Sequence, residues 1–135
     1  MIQRKRPLPR QRKPVKRVNA KRRKKNHARA YGGADRIRWI QMQPCAVCGW
    51  TGGCENAHIR TGGTGRKGDS SQVIPLCRSR PARPGEATIG KGDGFDSGCH
   101  AHLHSLGKRL FEKAYYVDLD ALAEQTERAW QEKIA

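Results

Sequence analysis

Apolar and polar positions divide this chain into a tail without apolar anchors and a body with several short patterned segments. Residues 1–30 carry cations and prolines in place of any periodic apolar face. Beyond them, Asp35 is placed to cap a short helix through Ile37, Trp39, Ile40 and Met42, which Pro44 ends. Cys54 to Thr61 alternates, with Ala57 and Ile59 on one side and Asn56 and His58 on the other, which predicts a strand. Gln72-Val73-Ile74-Pro75-Leu76-Cys77 predicts a second strand closing on a thiol. A helix is expected to start at Ser97 or Gly98, and helix continues after Gly107, with Leu106, Leu110, Phe111 and Ala114 on one face. Asp118 is the expected N-cap of a last helix, striped by Leu119, Leu122, Ala123, Trp130 and Ile134. The pattern is α+β: a core over about 44–117, a terminal helix over about 118–134, and a tail over 1–30 before a domain of 31–135.

Two stretches resist patterning. Thr61 to Gly68 holds four glycines with Arg66 and Lys67, a loop that lets the backbone approach a phosphate or serves as a plain flexible connection. It is not a Walker loop, because no Gly-Lys-Ser/Thr ends it and no buried strand precedes it. Residues 78–98 contain two prolines, five glycines and four basic residues, and are expected to form a surface insertion with little structure.

Charge sharpens the division. The net charge is +16, yet residues 1–30 hold 14 of the 28 Lys+Arg and no acid, whereas residues 31–135 hold 14 basic and 12 acidic residues. The tail is therefore a basic arm on a nearly neutral body. Self-repulsion predicts that it is disordered when free, with ends roughly 30 Å apart. Arms of this kind bind polyanions, most often nucleic acid. The candidate contacts are Arg4, Lys5, Arg6, Arg22, Arg23, Lys24 and Lys25, with Arg66 and Lys67 in the glycine loop. Tyr31-Gly32-Gly33 reads as a hinge. No run approaches the ~20 apolar residues of a membrane span, and the first residues have no apolar signal core. A soluble, cytoplasmic protein is the expectation.

Composition then points to a metal. Apolar residues make up 36% of the chain, too few for a generous core, so a staple is expected. All five cysteines and four of the five histidines lie between Cys45 and His104. Cys45-Ala46-Val47-Cys48 has the gap of a zinc knuckle. Cys77 and Cys99 are the best second pair for a four-thiolate structural Zn²⁺, with Cys54 the alternative fourth ligand or a free buried thiol. His100 and His104 share a helix face at i, i+4, from which His102 points away.

The order of these pieces resembles the HNH nucleases of the ββα-metal superfamily. The matching stretches are Cys45–Cys48, Ala57-His58-Ile59, Gly62-Gly63, Gln72–Cys77 and Cys99–His104, and the run from His58 to Lys67 resembles a phage-borne branch that includes a recombination-enhancement nuclease. The resemblance covers about residues 44–117 and not the arm. It implies a metal-dependent endonuclease on DNA. His58 would be the general base, Gln72 the equivalent of a structural Asn, and His100 and His104 ligands of Mg²⁺ or Mn²⁺. The products would carry 5′-phosphate and 3′-hydroxyl ends. It also implies phage origin, a link to recombination or DNA processing, and the host recombinase filament as a partner. The chain departs from the family pattern at Ala57, where a metal ligand is usual, and at Gln72; Glu55, Asp69 or His102 are the candidates to complete the metal shell. The alternative reading is a non-catalytic zinc-bound nucleic-acid-binding protein, ribosomal-protein-like or a degenerate nuclease accessory.

Overall fold

The structure is a computed structural model, and it describes residues 19–60, 68–82 and 95–135. Two antiparallel strands are its centre. β1 (Cys54–His58) pairs with β2 (Val73–Cys77) in a register that sets Cys54 opposite Cys77, Ala57 opposite Ile74 and His58 opposite Val73. The strand closes at His58, and Thr61, its expected end, lies outside the described residues; the Ile59 amide still donates to the Gln72 carbonyl at 3.0 Å. Every residue of β2 is buried, because helices pack on it from several sides. A period-two pattern is therefore missing from β2, and an unbroken apolar run replaces it.

Five α-helices surround the strands among the described residues: α1 (Ala20–Tyr31), α2 (Ala34–Gln41), α3 (Gly98–Leu106), α4 (Lys108–Tyr115) and α5 (Leu119–Ile134). A 3-10 turn over Ser70–Gln72 leads into β2, and a two-residue ladder, β3 (Arg80–Pro81) with β4 (Phe95–Asp96), closes the base of the insertion. The insertion was expected to have little structure; its ends are paired, and residues 83–94 lie outside the described residues. Ala57, Ile59, Ile74, Leu76, Leu103, Phe111, Leu119 and Ala123 form one apolar cluster, joined by the buried cysteines.

The helix ends follow local chemistry. Asp118 caps α5 by accepting from the Ala121 amide at 3.1 Å, as the sequence predicts. Gly33, not Asp35, occupies the N-cap of α2, and Asp35 sits in its first turn where a carboxylate favours the helix dipole. The expected apolar face of α4 is narrower than its sequence suggests: Phe111 is fully buried, but Leu110 is half-exposed and Ala114 is exposed. Ile134 is likewise exposed at the free end of α5. Arg36 of α2 is buried and donates to the Glu127 carboxylate of α5 at 2.8 Å, an internal tie between the two helices.

The arm departs from expectation. Residues 20–31 are helical rather than irregular. Proline is confined to residues before this stretch, and Lys, Arg and Ala are good helix formers. Asn19 caps the start by accepting from the Lys21 amide at 2.9 Å. The expected hinge is a helix stop: Gly32 adopts φ 79° and its amide closes on the Ala28 carbonyl. A side chain at Gly32 would also run into Arg36 and Ser70, so glycine is required there twice over. Residues 1–18, which include Arg4, Lys5 and Arg6, lie outside the described residues, as do Arg66 and Lys67.

Candidate metal centre and histidine cleft

Four thiols converge at one end of the strand pair. Cys45 and Cys48 come from the turn after α2, Cys77 from the end of β2 and Cys99 from the first turn of α3. Their sulfurs all lie within 4.8 Å of one another. Cys48 Sγ is 3.6 Å from Cys77 Sγ, and the Cys99 amide donates to Cys77 Sγ at 3.2 Å. The turn is held by the Cys45 amide on the Trp50 carbonyl and the Gly49 amide on the Cys45 carbonyl, both 2.9 Å, and it docks on β2 through the Ala46 amide and Pro75 carbonyl. Cys99 reaches the cluster because the chain turns sharply at Gly98, with φ 86° and a built Cβ only 1.5 Å from the Arg78 carbonyl oxygen. No other residue fits there without moving backbone.

The electrostatics suit a cation. Hydrogen bonds from the Cys77 and Cys99 thiols strongly favour a thiolate at Cys45. That thiolate in turn holds Cys77 protonated, pushed up to about 12, and raises Cys99 as well. A buried cluster that favours a thiolate at Cys45 and opposes ionisation of Cys77 and Cys99 calls for a divalent ion if those thiols are to ionise as well. Four thiolates in a closed, mostly buried shell suit structural Zn²⁺. Cys54, the alternative fourth ligand, stands apart: its thiol points to the Trp50 carbonyl at 3.8 Å, and burial, with the nearby Cys45 and Cys48, pushes it up to about 12. It lies opposite Cys77 on β1, and its side chain belongs to the core.

The histidines form a second candidate group on the same elements. His100 and His104 face each other on α3 with their Nε2 atoms 3.0 Å apart. Two nitrogens on one tetrahedral ion at ~2.0–2.1 Å would be about 3.3 Å apart, so the pair is close to a ligating separation. Glu55 of β1 accepts from His100 Nδ1 at 2.6 Å, which turns the His100 Nε2 lone pair toward His104. Glu55 therefore orients a candidate ligand from its far nitrogen. Asp69 caps the 3-10 turn, accepting from the Ser71 amide at 2.9 Å, and His102 is buried against the Tyr115 hydroxyl. Ala57 is wholly buried in the core. Among the described residues, the candidate ligands brought together here are thus His100 and His104.

His58 and His104 line a common cleft of about 370 Å³ with Arg60 and Lys108. His58 Nε2 is 2.7 Å from the Ala30 carbonyl, and the edge of the Tyr31 ring meets its imidazole at 4.8 Å between centroids. A carbonyl only accepts, so Nε2 carries the proton and the basic nitrogen is Nδ1. Arg60 Nη2 bonds both Asp120 oxygens at 3.0 and 3.1 Å, and Lys108 bonds the same carboxylate. Lys108 first and Arg60 second hold Asp120 below the usual carboxylate range. The Gln72 amide oxygen lies against Gly68, while Asn56, two residues before His58, ties β1 to α2 by donating to the Ile37 carbonyl at 3.2 Å.

The sequence reading gave Arg60, Lys108, Ala30 and Tyr31 no part in the cleft. Arg60 and Lys108 carried one signal, their place two residues after His58 and just after Gly107, the turn before α4. The Ala30 carbonyl carried none, since any residue has one. Comparison with protein-family models, with curated proteins and with solved structures gives no match. Among the described residues no helix is long and apolar enough to cross a membrane.

Proposed function

We propose that this chain is a zinc-stapled, metal-dependent endonuclease of the HNH kind that hydrolyses phosphodiester bonds in DNA. The observation that carries the reading is the shared cleft of His58 and His104, with His100 3.0 Å from His104, on two antiparallel strands followed by a helix. His58 is the general base. Its Nε2–H is donated to the Ala30 carbonyl, so in that tautomer Nδ1 is the basic nitrogen, the one to take a proton from an attacking water. His100 and His104 are the residues to hold a divalent cation, with Glu55 fixing the His100 ring. Such an ion supplies Lewis acidity against the charge that develops on the departing 3′ oxygen. Arg60 and Lys108 add positive charge to the wall of the cleft, tempered by Asp120.

Nicking of supercoiled plasmid with Mg²⁺ or Mn²⁺ tests this. His58 also satisfies a carbonyl at the end of α1, so His58→Gln is the better variant: an amide keeps that bond without acting as a base. Cleavage should fall by ~10²–10⁴-fold with zinc content and melting unchanged. Equal cleavage by His58→Gln would remove His58 from the chemistry. A second reading, a zinc-bound nucleic-acid-binding protein without catalysis, draws on the burial of Ala57, so that among the described residues only His100 and His104 stand together as candidate ligands at the second site. Salt-sensitive DNA binding with no nicking under any divalent ion would favour it.

A further inference from the structure

The helix α1 is unusual in what it leaves exposed. Every residue from Ala20 to Arg29 is exposed, and only Ala30 at its end is buried. Lys21, Arg22, Arg23, Lys24 and Lys25 are consecutive, so at about 100° per residue their side chains point to all sides of the helix. Arg29 adds a sixth cation, and no acid lies in the first turn to complement the helix N-terminus. Lys21 with Lys25, and Lys25 with Arg29, are like charges at i, i+4, which oppose the helix. Among the described residues no carboxylate is paired with these cations, which face solvent.

A flat anionic surface would neutralise one side of such a helix and leave the other side repelling itself. A groove with phosphates on both walls neutralises several sides at once. The major groove of B-form DNA is about 12 Å wide and admits a helix about 10–12 Å across. The major groove of A-form RNA is too deep and narrow for one. We infer that α1 seats in the major groove of double-stranded, B-form DNA, held by phosphates on both sides, and that duplex DNA is the substrate class of the adjoining cleft.

The placement of α1 relative to that cleft gives the inference its second half, which rests on the nuclease reading. The last turn of α1 is attached to His58 through the Ala30 carbonyl at 2.7 Å and the Tyr31 ring. Twelve residues make α1 about 18 Å long, the span of about five base pairs. The helix and the cleft therefore engage the same turn of duplex, and the arm sets the position of the cut as well as the affinity. A run of lysines and arginines contacting phosphates predicts little dependence on base sequence.

The test uses the full chain, zinc-loaded, without added Mg²⁺ or Mn²⁺. Fluorescence anisotropy compares a DNA duplex of about two turns (~20 base pairs) with one of its single strands and with an RNA duplex of the same sequence. The DNA duplex should bind about tenfold more tightly than either, a difference of ~1.4 kcal/mol. Circular dichroism should gain helix on adding the duplex, as the repulsion within α1 is relieved. Ala28→Pro keeps every charge but breaks the helix, so it should erase the duplex preference and leave the salt dependence of binding unchanged. Ala28→Gly, which only weakens the helix, should lose part of the preference. Zinc content and melting establish that both variants are folded. Equal affinity for the three nucleic acids, or a preference that survives Ala28→Pro, would overturn the proposal. A duplex preference in a chain that cuts no DNA would uphold groove binding and sink the nuclease reading instead.

Discussion

Replacing Cys77 by serine removes one of four thiols from a group that is part of the hydrophobic core. Cys77 and Cys99 are fully buried, Cys45 is 3% exposed, and all three belong to the main apolar cluster. Cys77 is also the sulfur that receives the Cys99 amide and lies 3.6 Å from Cys48, so it joins the strand pair, the turn after α2 and the start of α3. Structural zinc binding amounts to ~10–16 kcal/mol in small zinc domains near neutral pH. The whole stability of a small domain is ~5–15 kcal/mol. Loss of such an ion would therefore remove an amount comparable with the entire fold, and the remaining thiols, protonated again, would pack in a buried space without the ion to join them. A serine hydroxyl is harder and does not ionise near neutral pH, so it does not replace the ligand. Purified wild-type protein should hold one zinc per chain by elemental analysis and melt cooperatively by circular dichroism. Cys77→Ser should lose the zinc and the transition together. Cys54→Ser makes the same chemical change at a thiol that is 5% exposed but outside the cluster, and it should keep the zinc. A Cys77→Ser protein with full zinc and a wild-type melt, or a Cys54→Ser protein without zinc, would refute the assignment.

Other outcomes follow from single contacts. Glu55→Ala frees the His100 ring that Glu55 now orients at 2.6 Å, and calorimetric Mn²⁺ binding to zinc-loaded protein should weaken ~10–100-fold while the zinc stays; unchanged Mn²⁺ affinity would mean that His100 is not a ligand. Gly98→Ala puts a Cβ 1.5 Å from the Arg78 carbonyl oxygen at φ 86°, and the conformational cost alone is ~1–3 kcal/mol, so the melting temperature should fall clearly and zinc should be held less tightly. The Cys54 thiol is pushed from 9.0 to about 12, chiefly by burial, so the fold favours its protonated form. Its contribution is complete below pH 9 and is lost as pH rises from 9 toward about 12; Cys54→Ala should flatten that part of the stability profile, and an identical profile would show that Cys54 ionises freely.

Much of the site follows from residue type and spacing alone. A two-residue gap makes Cys45 and Cys48 neighbours on one turn, and a four-residue gap on a helix makes His100 and His104 neighbours on one face; neither needs the rest of the fold. The strand pair was legible for the same reason, since alternation and an apolar run are local patterns, as was the Asp118 cap. The choice among distant partners was not local. Cys54 and Cys77 are directly opposite in the register, and composition treats them alike. Only the tight turn at Gly98, which carries Cys99 onto Cys77, leaves Cys54 to the core. Helix spacing already turns His102 away from the face of His100 and His104, but only packing supplies Tyr115 as its buried partner. The arm shows the same limit from the other side. Its charge predicts repulsion and disorder, but a capped helix over Ala20–Tyr31 ends with its Ala30 carbonyl on His58, a contact 28 residues away in the chain. Spacing along the chain determined which groups can act as pairs. Only the tertiary fold decided which thiol completes the cluster and which carbonyl holds His58, because both depend on where distant backbone is brought.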